Sequence, residues 1–427
     1  MKPLNSSFDK KKIHFFGDRV SQNELEAADF LVPDYKGRCL SNLVPYLLTH
    51  IISAGYNGRG QAANDAYSSF LNSHSQNGAF YFPDHEGRLD SFSEYIQPSR
   101  QYVLLVLDGL GYCQLISRLK MAPALSSMTR SVISSVAPTT TSTVLSSITT
   151  GLVPSEHGVM GYRVSVLDGD ILNILKWTSR DRRDLHGIDP AVFQSHPSFL
   201  GYQAPVLSRH EFAGTGFSRL HLNGSDMHGW RVPSSMLTDA TNLVSAGEKF
   251  IYLYYDGIDK VAHEYGLGQH YEQELKCVDH LVASLLEALP KGVTLVITAD
   301  HGQVEVRKPP LELPADALNL TKSFSGEGRF RWLHVKDGKD DLVKEICTEA
   351  FSDMAVVAGA EELIDMGLFG GPLSDEYRAR IGDVALIATE PVAFFDPHDT
   401  GDLRLVSRHG AMTGAEVLVP LLTYTAS

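Results

Sequence analysis

Three continuous apolar runs dominate the hydropathy pattern of this chain, and an aspartate directly follows each of them. They occupy residues 102–107, 249–255 and 293–299. Runs of this length without polar alternation are typical of strands that are buried on both faces of a sheet. Helical patterns occur at 236–246 and 270–288. Strands that alternate with helices predict an α/β fold, a three-layer sandwich whose central sheet is mostly parallel.

The remaining segments suggest how the chain is organised around that sheet. Residues 113–128 predict a helix and 131–137 a further strand, whereas 55–98 are rich in Gly, Asn and Ser and predict a long loop insertion. The apolar pattern loosens after 302 and returns after 403. We therefore expect four parts, namely an N-terminal arm and insertion packed on the core (1–100), a core (101–302), an inserted cap or lid (303–403) and a return to the core (404–427).

A stretch rich in threonine and serine, residues 137–158, predicts a helix with unusual polar character. Val144 and Ile148 have helical spacing, and Gly151 is a typical helix end. Pro138 and the hydroxyl-rich residues after it fit a helix N-terminus. Such an N-terminus offers unpaired N–H groups to an anion, and a hydroxyl held there could attack a phosphoryl or sulfuryl group. A capped helix with a polar face is the simpler alternative.

Composition limits the classes of function. The 427 residues carry a formal charge of −14, with 43% hydrophobic and 21% charged residues, as in a soluble globular protein. This charge disfavours a protein that tracks along nucleic acid, but a small phosphorylated substrate remains compatible because bound cations can reverse the local sign. The four cysteines form no CxxC pair, which favours a reducing compartment. No secretory signal or membrane-spanning run is recognisable, so we expect a cytoplasmic protein without a membrane partner.

Six potential metal ligands lie at or just after predicted strand ends. Ligands bind beyond the carboxyl ends of parallel strands, so we expect these side chains to converge on one crevice. Carboxylates and imidazoles suit zinc and are also used by manganese, and six of them are too many for one tetrahedral ion but suit two. The candidate ligands are Asp108, Asp259, His263, Asp300, His301 and His409.

Each of these signals has a simpler explanation when it is taken alone. Asp108-Gly109 could be only a turn, and Asp259 with His263 could be a surface pair on one helix face. The glycines after Asp108 do not complete a dinucleotide-binding fingerprint, because its third glycine or alanine is missing. The shared position of all six at the mouth of one sheet favours a functional site.

The chain resembles the type I phosphodiesterase/nucleotide pyrophosphatase family of the alkaline phosphatase superfamily. The resemblance extends over residues 102–410 in order and spacing, and as a set its motifs are highly specific. They are Val103-Leu-Leu-Val-Leu-Asp-Gly109, Pro138-Thr-Thr-Thr141, Thr150-Gly-Leu-Val-Pro-Ser-Glu-His-Gly158, Asp259-Lys-Val-Ala-His263, Thr298-Ala-Asp-His-Gly302 and Arg408-His-Gly410.

This resemblance implies an alkaline phosphatase-like fold in which 101–302 is a metal-binding catalytic core. Asp108, Asp300 and His301 would hold one divalent ion, with the nucleophile Thr141 beside it. Asp259, His263 and His409 would hold the second ion, and zinc is the expected metal, with manganese as an alternative. Thr139, Thr140 and Thr143 are rivals to Thr141 if the loop is shifted.

One position departs from the family pattern. Many nucleotide-cleaving relatives carry an asparagine after the His-Gly segment, where it contacts a phosphoryl oxygen, and Tyr162 occupies the corresponding position in this chain. A tyrosine can still donate a hydrogen bond. Arg163 is a second candidate for binding phosphate, with a plain surface arginine as its alternative. Both residues open a predicted hairpin that turns at Asp168-Gly169-Asp170.

The resemblance implies a two-metal hydrolase that cleaves phosphodiester or phosphoanhydride bonds through a covalent threonine intermediate. A nucleotide diester is the expected kind of substrate. The alternatives are a phosphomonoesterase or phosphomutase of the same superfamily and a metal-binding protein without turnover. A sulfatase is disfavoured because no cysteine lies near Thr141. The oligomeric state and the natural substrate are left open.

Overall fold

The computed structural model of this protein describes residues 11–16, 21–53, 91–166, 169–179, 187–399 and 404–427. Most of the loop insertion predicted at 55–98 and the turn residue Asp168 lie outside these ranges. Residues 91–93, inside the predicted insertion, are helical. The last helix before the insertion runs from Leu43 to Ser53 and follows a 3₁₀ turn at Leu40–Asn42.

The described residues form eighteen strands. We number them in chain order as β1 (Ile13–Phe15), β2 (Phe30–Val32), β3 (Tyr102–Leu107), β4 (Thr129–Ser134), β5 (Arg163–Ser165), β6 (Ile171–Asn173), β7 (Thr178–Ser179), β8 (Pro205–Arg209), β9 (Asp226–Trp230), β10 (Phe250–Tyr255), β11 (Thr294–Thr298), β12 (Val304–Glu305), β13 (Thr321–Glu327), β14 (Phe330–Val335), β15 (Ala355–Gly359), β16 (Val384–Ala388), β17 (Ser407–Arg408) and β18 (Leu418–Thr425).

The helices are numbered in the same way. They are α1 (Gln22–Glu26), α2 (Leu43–Ser53), α3 (Tyr112–Ile116), α4 (Pro123–Ser127), α5 (Thr141–Thr150), α6 (Pro154–His157), α7 (Pro190–Phe193), α8 (Gly216–His221), α9 (Pro233–Ser245), α10 (Gly257–Tyr265), α11 (Gln269–Ala288), α12 (Ala315–Leu320), α13 (Asp340–Phe351), α14 (Ala360–Asp365), α15 (Asp375–Arg378) and α16 (Gly414–Val417).

A seven-stranded sheet with the order β4-β18-β11-β3-β10-β8-β9 forms the centre of the molecule. The pairs β11/β3, β3/β10, β10/β8 and β8/β9 are parallel, and only β18 makes antiparallel pairs, with β11 and β4. Every residue of β3, β10 and β11 is buried, as their unbroken apolar sequences require. The predicted α/β fold with a mostly parallel central sheet is therefore confirmed.

Two local predictions are wrong in detail. The helix expected over 113–128 is broken into α3, a 3₁₀ turn at Leu119–Met121 and α4, because Pro123 cannot continue a helix but fits the first position of a new one. The strand expected over 131–137 ends at Ser134, and the peptide bond between Ala137 and Pro138 is cis.

The helix predicted in the threonine-rich stretch is α5, and it ends at Gly151 as expected. Gly151 has φ 72°, and a Cβ at this position would lie 2.7 Å from Cγ of Pro45. Both the left-handed backbone and the lack of space favour glycine. The Thr140 side chain, however, makes no capping hydrogen bond at the helix N-terminus.

The strand register places the predicted ligands at one edge of the sheet. Val106 pairs with Thr298 across β3 and β11, so Asp108 and Asp300 follow at matching heights. Leu107 pairs with Tyr255 of β10, and α10 starts at Gly257. Because the three strands are parallel, their carboxyl ends face the same crevice.

A second sheet lies within 303–403, the region predicted as a cap. Its strand order is β13-β14-β16-β15, and all of its pairs are antiparallel. Arg329, in the β13–β14 turn, forms a bidentate ion pair with Glu416 of α16, with N···O distances of 2.7 and 2.8 Å. Both side chains are fully buried, so this pair joins the second sheet to the segment that leads into β18. Among the described residues, no helix is long and apolar enough to span a bilayer.

Candidate active site

The first cluster of potential ligands consists of Asp108, Asp300 and His301, with all three ligand atoms within 4.8 Å of one another. Nε2 of His301 lies 3.3 Å from Oδ2 of Asp300 and 3.6 Å from Oδ1 of Asp108. The backbone N–H groups of Gly109 and His301 donate to Oδ1 of Asp300. Oδ1 of Asp108 and Oδ2 of Asp300 are buried, and no described residue donates a hydrogen bond to them.

The second cluster combines Asp259, His301 and His409, again within 4.8 Å. His263 lies beside it, with its Nε2 at 3.3 Å from Oδ1 of Asp259, while Nε2 of His409 is 3.8 Å from the same oxygen. The four-residue spacing on α10 aligns Asp259 with His263, as expected. The structure thus brings together all six predicted ligands, and His301 lies between the two groups.

The three imidazoles share one tautomer, which their backbone partners determine. Nδ1 of His263 donates to the carbonyl of Ser407 at 2.7 Å, and Nδ1 of His409 donates to that of Thr139 at 2.8 Å. Nδ1 of His301 donates to its neighbour's carbonyl, at 3.1 Å. A carbonyl oxygen can only accept, so each Nδ1 carries a proton, and in the neutral ring each Nε2 has a lone pair directed into the site.

The electrostatics of the site favour a bound cation. Burial raises the pKa of Asp108 well above its usual value, and the charges of Asp300 and Asp259 add to this effect. Burial likewise raises the pKa of Asp300. Burial lowers the pKa of His409 well below 6.5, helped by His301 and His263. Buried carboxylate oxygens that lack donors among the described residues, together with imidazoles whose Nε2 faces inward, are the donor set that zinc or manganese takes.

Thr141 is the first residue of α5, and its Oγ1 lies 3.2 Å from Nε2 of His301. Thr139, a predicted rival, uses its hydroxyl to donate to the Ala411 carbonyl and to accept from the Gly410 N–H. The Thr143 hydroxyl is buried without a hydrogen-bond partner among the described residues. Thr140 and Thr141 both line the cleft described next.

A cleft of about 920 Å³ opens over Asp259, His263 and His409, and Tyr162 and Arg163 both line it. The Tyr162 hydroxyl accepts a hydrogen bond from Nδ2 of Asn173 at 2.7 Å. Arg163 is buried, in contrast to the alternative of a surface arginine, and its Nη1 lies 2.5 Å from Asp396 and 3.6 Å from Asp399. Its charge is therefore already paired.

Sequence comparison places this chain in a known protein family. Residues 102–411 match the profile of a family described as type I phosphodiesterase / nucleotide pyrophosphatase. The match covers more than half of the chain and includes both clusters and Thr141. The chain belongs to the type I phosphodiesterase/nucleotide pyrophosphatase family. No match was found among curated protein sequences.

Solved structures with the same fold agree with this family. Murine ectonucleotide pyrophosphatase/phosphodiesterase 5 superposes with a TM-score of 0.58 at 15% identity, covering 75% of this chain and 87% of that one. An inactive variant of that protein was solved with AMP. Phosphonoacetate hydrolase from Sinorhizobium meliloti superposes with a TM-score of 0.55 at 19% identity, covering 76% and 89%, and was solved with phosphonoformate. At these identities the likeness shows the fold.

Membership of the phosphodiesterase/nucleotide pyrophosphatase family supports a hydrolase of the phosphodiesterase or pyrophosphatase type. Around the shared site, this chain has supporting residues that the sequence analysis missed. The hydroxyl of Tyr254 donates to Oδ2 of Asp108, and Nε2 of Gln303 donates to Oδ1 of Asp259. Gln303 lies only two residues after a predicted ligand pair, so its position in the sequence could have indicated its supporting role. Tyr254 carries no such indication, because its sequence context does not distinguish it from the other tyrosines of β10.

The sequence analysis also missed Asn173, although the predicted hairpin already indicates that this residue lies near Tyr162. Arg163 pairs with Asn173 across β5 and β6, so a hairpin that turns at 168–170 brings Asn173 beside Tyr162. Its amide is held at both ends, because its Oδ1 accepts from the Lys176 N–H at 3.0 Å. An asparagine therefore lies in the cleft of this family member, although it is on the opposite strand of the hairpin from Tyr162.

Proposed function

We propose that this protein is a two-metal phosphodiesterase or nucleotide pyrophosphatase in which Thr141 is the nucleophile. The contact of 3.2 Å between Oγ1 of Thr141 and Nε2 of His301 carries the proposal. It places a hydroxyl beside the first cluster, in which one buried oxygen of each carboxylate has no donor among the described residues. Asp108, Asp300 and His301 would hold one ion, and Asp259, His263 and His409 the other. When bound, such ions lower the pKa of the nucleophile and neutralise charge on the attacking and leaving oxygens.

The residues of the chain then have separate tasks in the reaction. Oγ1 of Thr141 gives up its proton to solvent in the cleft and attacks phosphorus, so that an O–P bond forms and the bond to the leaving oxygen breaks. A water molecule attacks the phosphothreonine in a second step and regenerates the hydroxyl. The N–H groups in the first turn of α5 face the anion and help to hold its oxygens.

The remaining predicted residues contribute to substrate binding. Tyr162, held by Asn173, would donate its hydroxyl hydrogen to a phosphoryl oxygen of the substrate. The guanidinium group of Arg163 would add positive charge to one edge of the cleft. Its ion pair with Asp396 reduces the attraction of this charge for a phosphoryl group. A small nucleotide diester fits a cleft of about 920 Å³. We further propose that 303–403 acts as a cap on the core and selects the substrate.

A pair of threonine variants tests this function. Thr141→Val is expected to lower kcat on bis-p-nitrophenyl phosphate at least about 1,000-fold while two metal ions per chain remain bound. Thr143→Val is the matched control, because Thr143 lies two residues further along α5 and its hydroxyl has no hydrogen-bond partner in the described part of the chain. Near-normal turnover by Thr141→Val would exclude Thr141 as the nucleophile. Faster turnover of p-nitrophenyl phosphate than of the diester would instead assign a phosphomonoesterase.

A further inference from the structure

Glu416 of α16 has a fully buried carboxylate that accepts four hydrogen bonds. Its Oε1 accepts from Nε of Arg329 at 2.7 Å and from the Ala411 N–H at 3.1 Å. Its Oε2 accepts from Nη2 of Arg329 at 2.8 Å and from the Thr413 hydroxyl at 2.7 Å. A carboxylate offers about four lone-pair sites, so its accepting capacity is used completely. Bonds of this kind, formed away from water, fix the groups that they join.

The Ala411 N–H connects this carboxylate to a proposed metal ligand, because His409 lies two residues earlier in the chain. Thr139 holds the same loop. Its hydroxyl donates to the Ala411 carbonyl at 2.8 Å and accepts from the Gly410 N–H at 3.0 Å, and its carbonyl accepts from Nδ1 of His409 at 2.8 Å. The backbone that carries His409 is therefore fixed by two residues, Thr139 and Glu416.

Close packing leaves this loop little room to move. Gly410 has φ 119°, which favours glycine, and a Cβ at this position would lie 2.5 Å from Cδ of Glu327 in β13. The Met412 carbonyl accepts from the Leu31 N–H at 2.7 Å. Because a closely packed segment transmits a displacement instead of absorbing it, a shift at Ala411 should reach the imidazole of the neighbouring ligand.

Arg329 brings the compensating charge from the second sheet. Its Nη1 donates to the carbonyls of Glu390 and Val392, both at 2.9 Å, in addition to its ion pair with Glu416. Removing either partner of a buried ion pair alone leaves an uncompensated charge and is strongly destabilising. A test of Glu416 must therefore remove both charges together.

The backbone of Glu416 supports the first ligand cluster independently of its side chain. The Glu416 carbonyl accepts from the Gly302 N–H at 2.9 Å, and Gly302 directly follows His301. A substitution at position 416 leaves this backbone bond in place. Effects of the side chain should therefore be concentrated on His409.

We infer that Glu416 is a positioning residue for His409 that acts through the Ala411 N–H, with Arg329 as its counter-charge. This inference rests on the proposed function, because it assumes that His409 binds the second ion. Outer residues that orient a metal-binding imidazole typically change metal affinity about 10- to 100-fold. The affinity for the second ion then depends on a carboxylate that is not itself a ligand.

The test compares two double variants that both lack the buried charges, Arg329→Met/Glu416→Met and Arg329→Met/Glu416→Gln. Only the glutamine substitution keeps an oxygen that can accept from the Ala411 N–H, and its amide N–H can donate to the Thr413 hydroxyl. Titrations of the metal-free proteins with Zn²⁺ against a competing chelator measure both ions. The second ion, which His409→Asn should remove, is expected to bind about tenfold more weakly to the variant with Glu416→Met than to the one with Glu416→Gln. The first ion should weaken less.

Thr413→Val is the matched control, because it removes a hydrogen bond to the same carboxylate and leaves the Ala411 N–H bonded. Its affinity for the second ion should stay within about twofold of the wild type. Equal second-ion affinities of the two double variants would overturn the inference. If Arg329→Met/Glu416→Met does not fold, Glu416→Asp replaces it, since this change keeps the charge but withdraws the carboxylate by one methylene. Unchanged second-ion affinity in Glu416→Asp would then overturn the inference.

Failure of this inference can be distinguished from failure of the proposed function. Loss of one ion in His409→Asn, combined with equal binding by the two double variants, would overturn only the role of Glu416. The titrations need no turnover, so they stay interpretable if the wild-type protein does not cleave bis-p-nitrophenyl phosphate. That result would count against the proposed function alone.

Discussion

The imidazole rings of His301 and His409 are stacked, with their centroids 3.5 Å apart and their planes inclined by 12°. Two positively charged rings in this position would repel each other, and the lowered pKa of His409 agrees with a neutral His409 ring. In the proposed assignment the two rings serve different ions. The stack therefore forms a common wall between the two ion sites, so a change in one ring should affect both sites.

The first prediction concerns His409. His409→Asn removes one ligand of the second ion and one face of the stack, so we expect the metal content to fall from two ions toward one per chain, with turnover reduced more than about 100-fold. Metal analysis after dialysis measures the content directly. His398→Asn is the control, because His398 lines the cleft but belongs to neither ligand cluster. Two tightly bound ions in the His409 variant would refute its assignment as a ligand.

The second prediction concerns removal of metal. Asp108 and Asp300 have raised pKa values in the metal-free fold, so the folded protein keeps protons that the unfolded chain releases above about pH 4. The free energy of unfolding of the chelated protein should therefore decrease as the pH rises through the raised pKa values.

Bound metal reverses this trend, because coordination needs deprotonated ligands. At about 1,000 times its Kd, Zn²⁺ would add about 4 kcal/mol to the free energy of unfolding. The difference in Tm between the loaded and the chelated protein should consequently be larger at pH 8 than at pH 5.5. A difference that is equal at both pH values, in calorimetric scans, would contradict a carboxylate-rich metal site.

The third prediction concerns the tyrosines of β10. Tyr254→Phe removes the donor to Oδ2 of Asp108 and leaves this buried oxygen unpaired, which should cost about 1–3 kcal/mol of stability and about 10–100-fold in metal affinity. Tyr252→Phe is a close control, since the buried Tyr252 hydroxyl has no hydrogen-bond partner among the described residues. It should be neutral or slightly stabilising. Equal metal affinities of the two variants in competition titrations would show that Tyr254 does not position Asp108.

The fourth prediction concerns His157, which the family motif Ser155-Glu-His-Gly158 contains. Its Nδ1 accepts from the Val159 N–H at 3.0 Å, so its Nε2 carries the proton that is donated to the Ser147 hydroxyl at 2.8 Å. Burial lowers the pKa of His157 to about 3, with His196 and Arg380 contributing. His157 is thus a neutral internal connection between α5 and the C-terminal end of α6.

Protonation of His157 should therefore limit stability in acid. The unfolded imidazole binds a proton near pH 6.5, whereas the folded one does so only at about pH 3, so the free energy of unfolding decreases between these values by about 1.4 kcal/mol per pH unit. In the variant His157→Gln, this pH-dependent decrease in the free energy of unfolding is absent. Urea titrations at pH 6 and pH 4.5 should show a loss of stability that is about 2 kcal/mol smaller in the variant, and identical losses would disprove the effect.

The sequence was informative where local pattern and tertiary position coincide. The apolar runs of β3, β10 and β11 predict strands because an unbroken apolar segment has to be buried on both faces. The polar residues directly after them then lie at one sheet edge, since the carboxyl ends of parallel strands point the same way. The sequence alone therefore predicts that four of the candidate ligands lie together, namely Asp108, Asp259, Asp300 and His301.

Strands with weaker patterns could not be found in this way. β9, Asp-Met-His-Gly-Trp, is an edge strand with mostly accessible residues, so no apolar alternation marks it. The sheet formed by β13 to β16 was predicted only as a loosely patterned cap. Its strands acquire their pairing partners from positions up to about 60 residues away, and a short sequence window contains no signal for such pairing.

The sequence by itself determined which ligand types are present, their order along the chain and the class of fold that gathers them. Only the tertiary structure decided which nitrogen of each histidine faces the site, because the deciding carbonyls of Thr139 and Ser407 lie 270 and 144 residues away from His409 and His263. It also decided that Arg163 is paired with Asp396 and that the Glu416 carboxylate accepts from the Ala411 N–H. Hydrogen bonds and charges act through space over a few ångströms, whereas the sequence pattern records only separation along the chain.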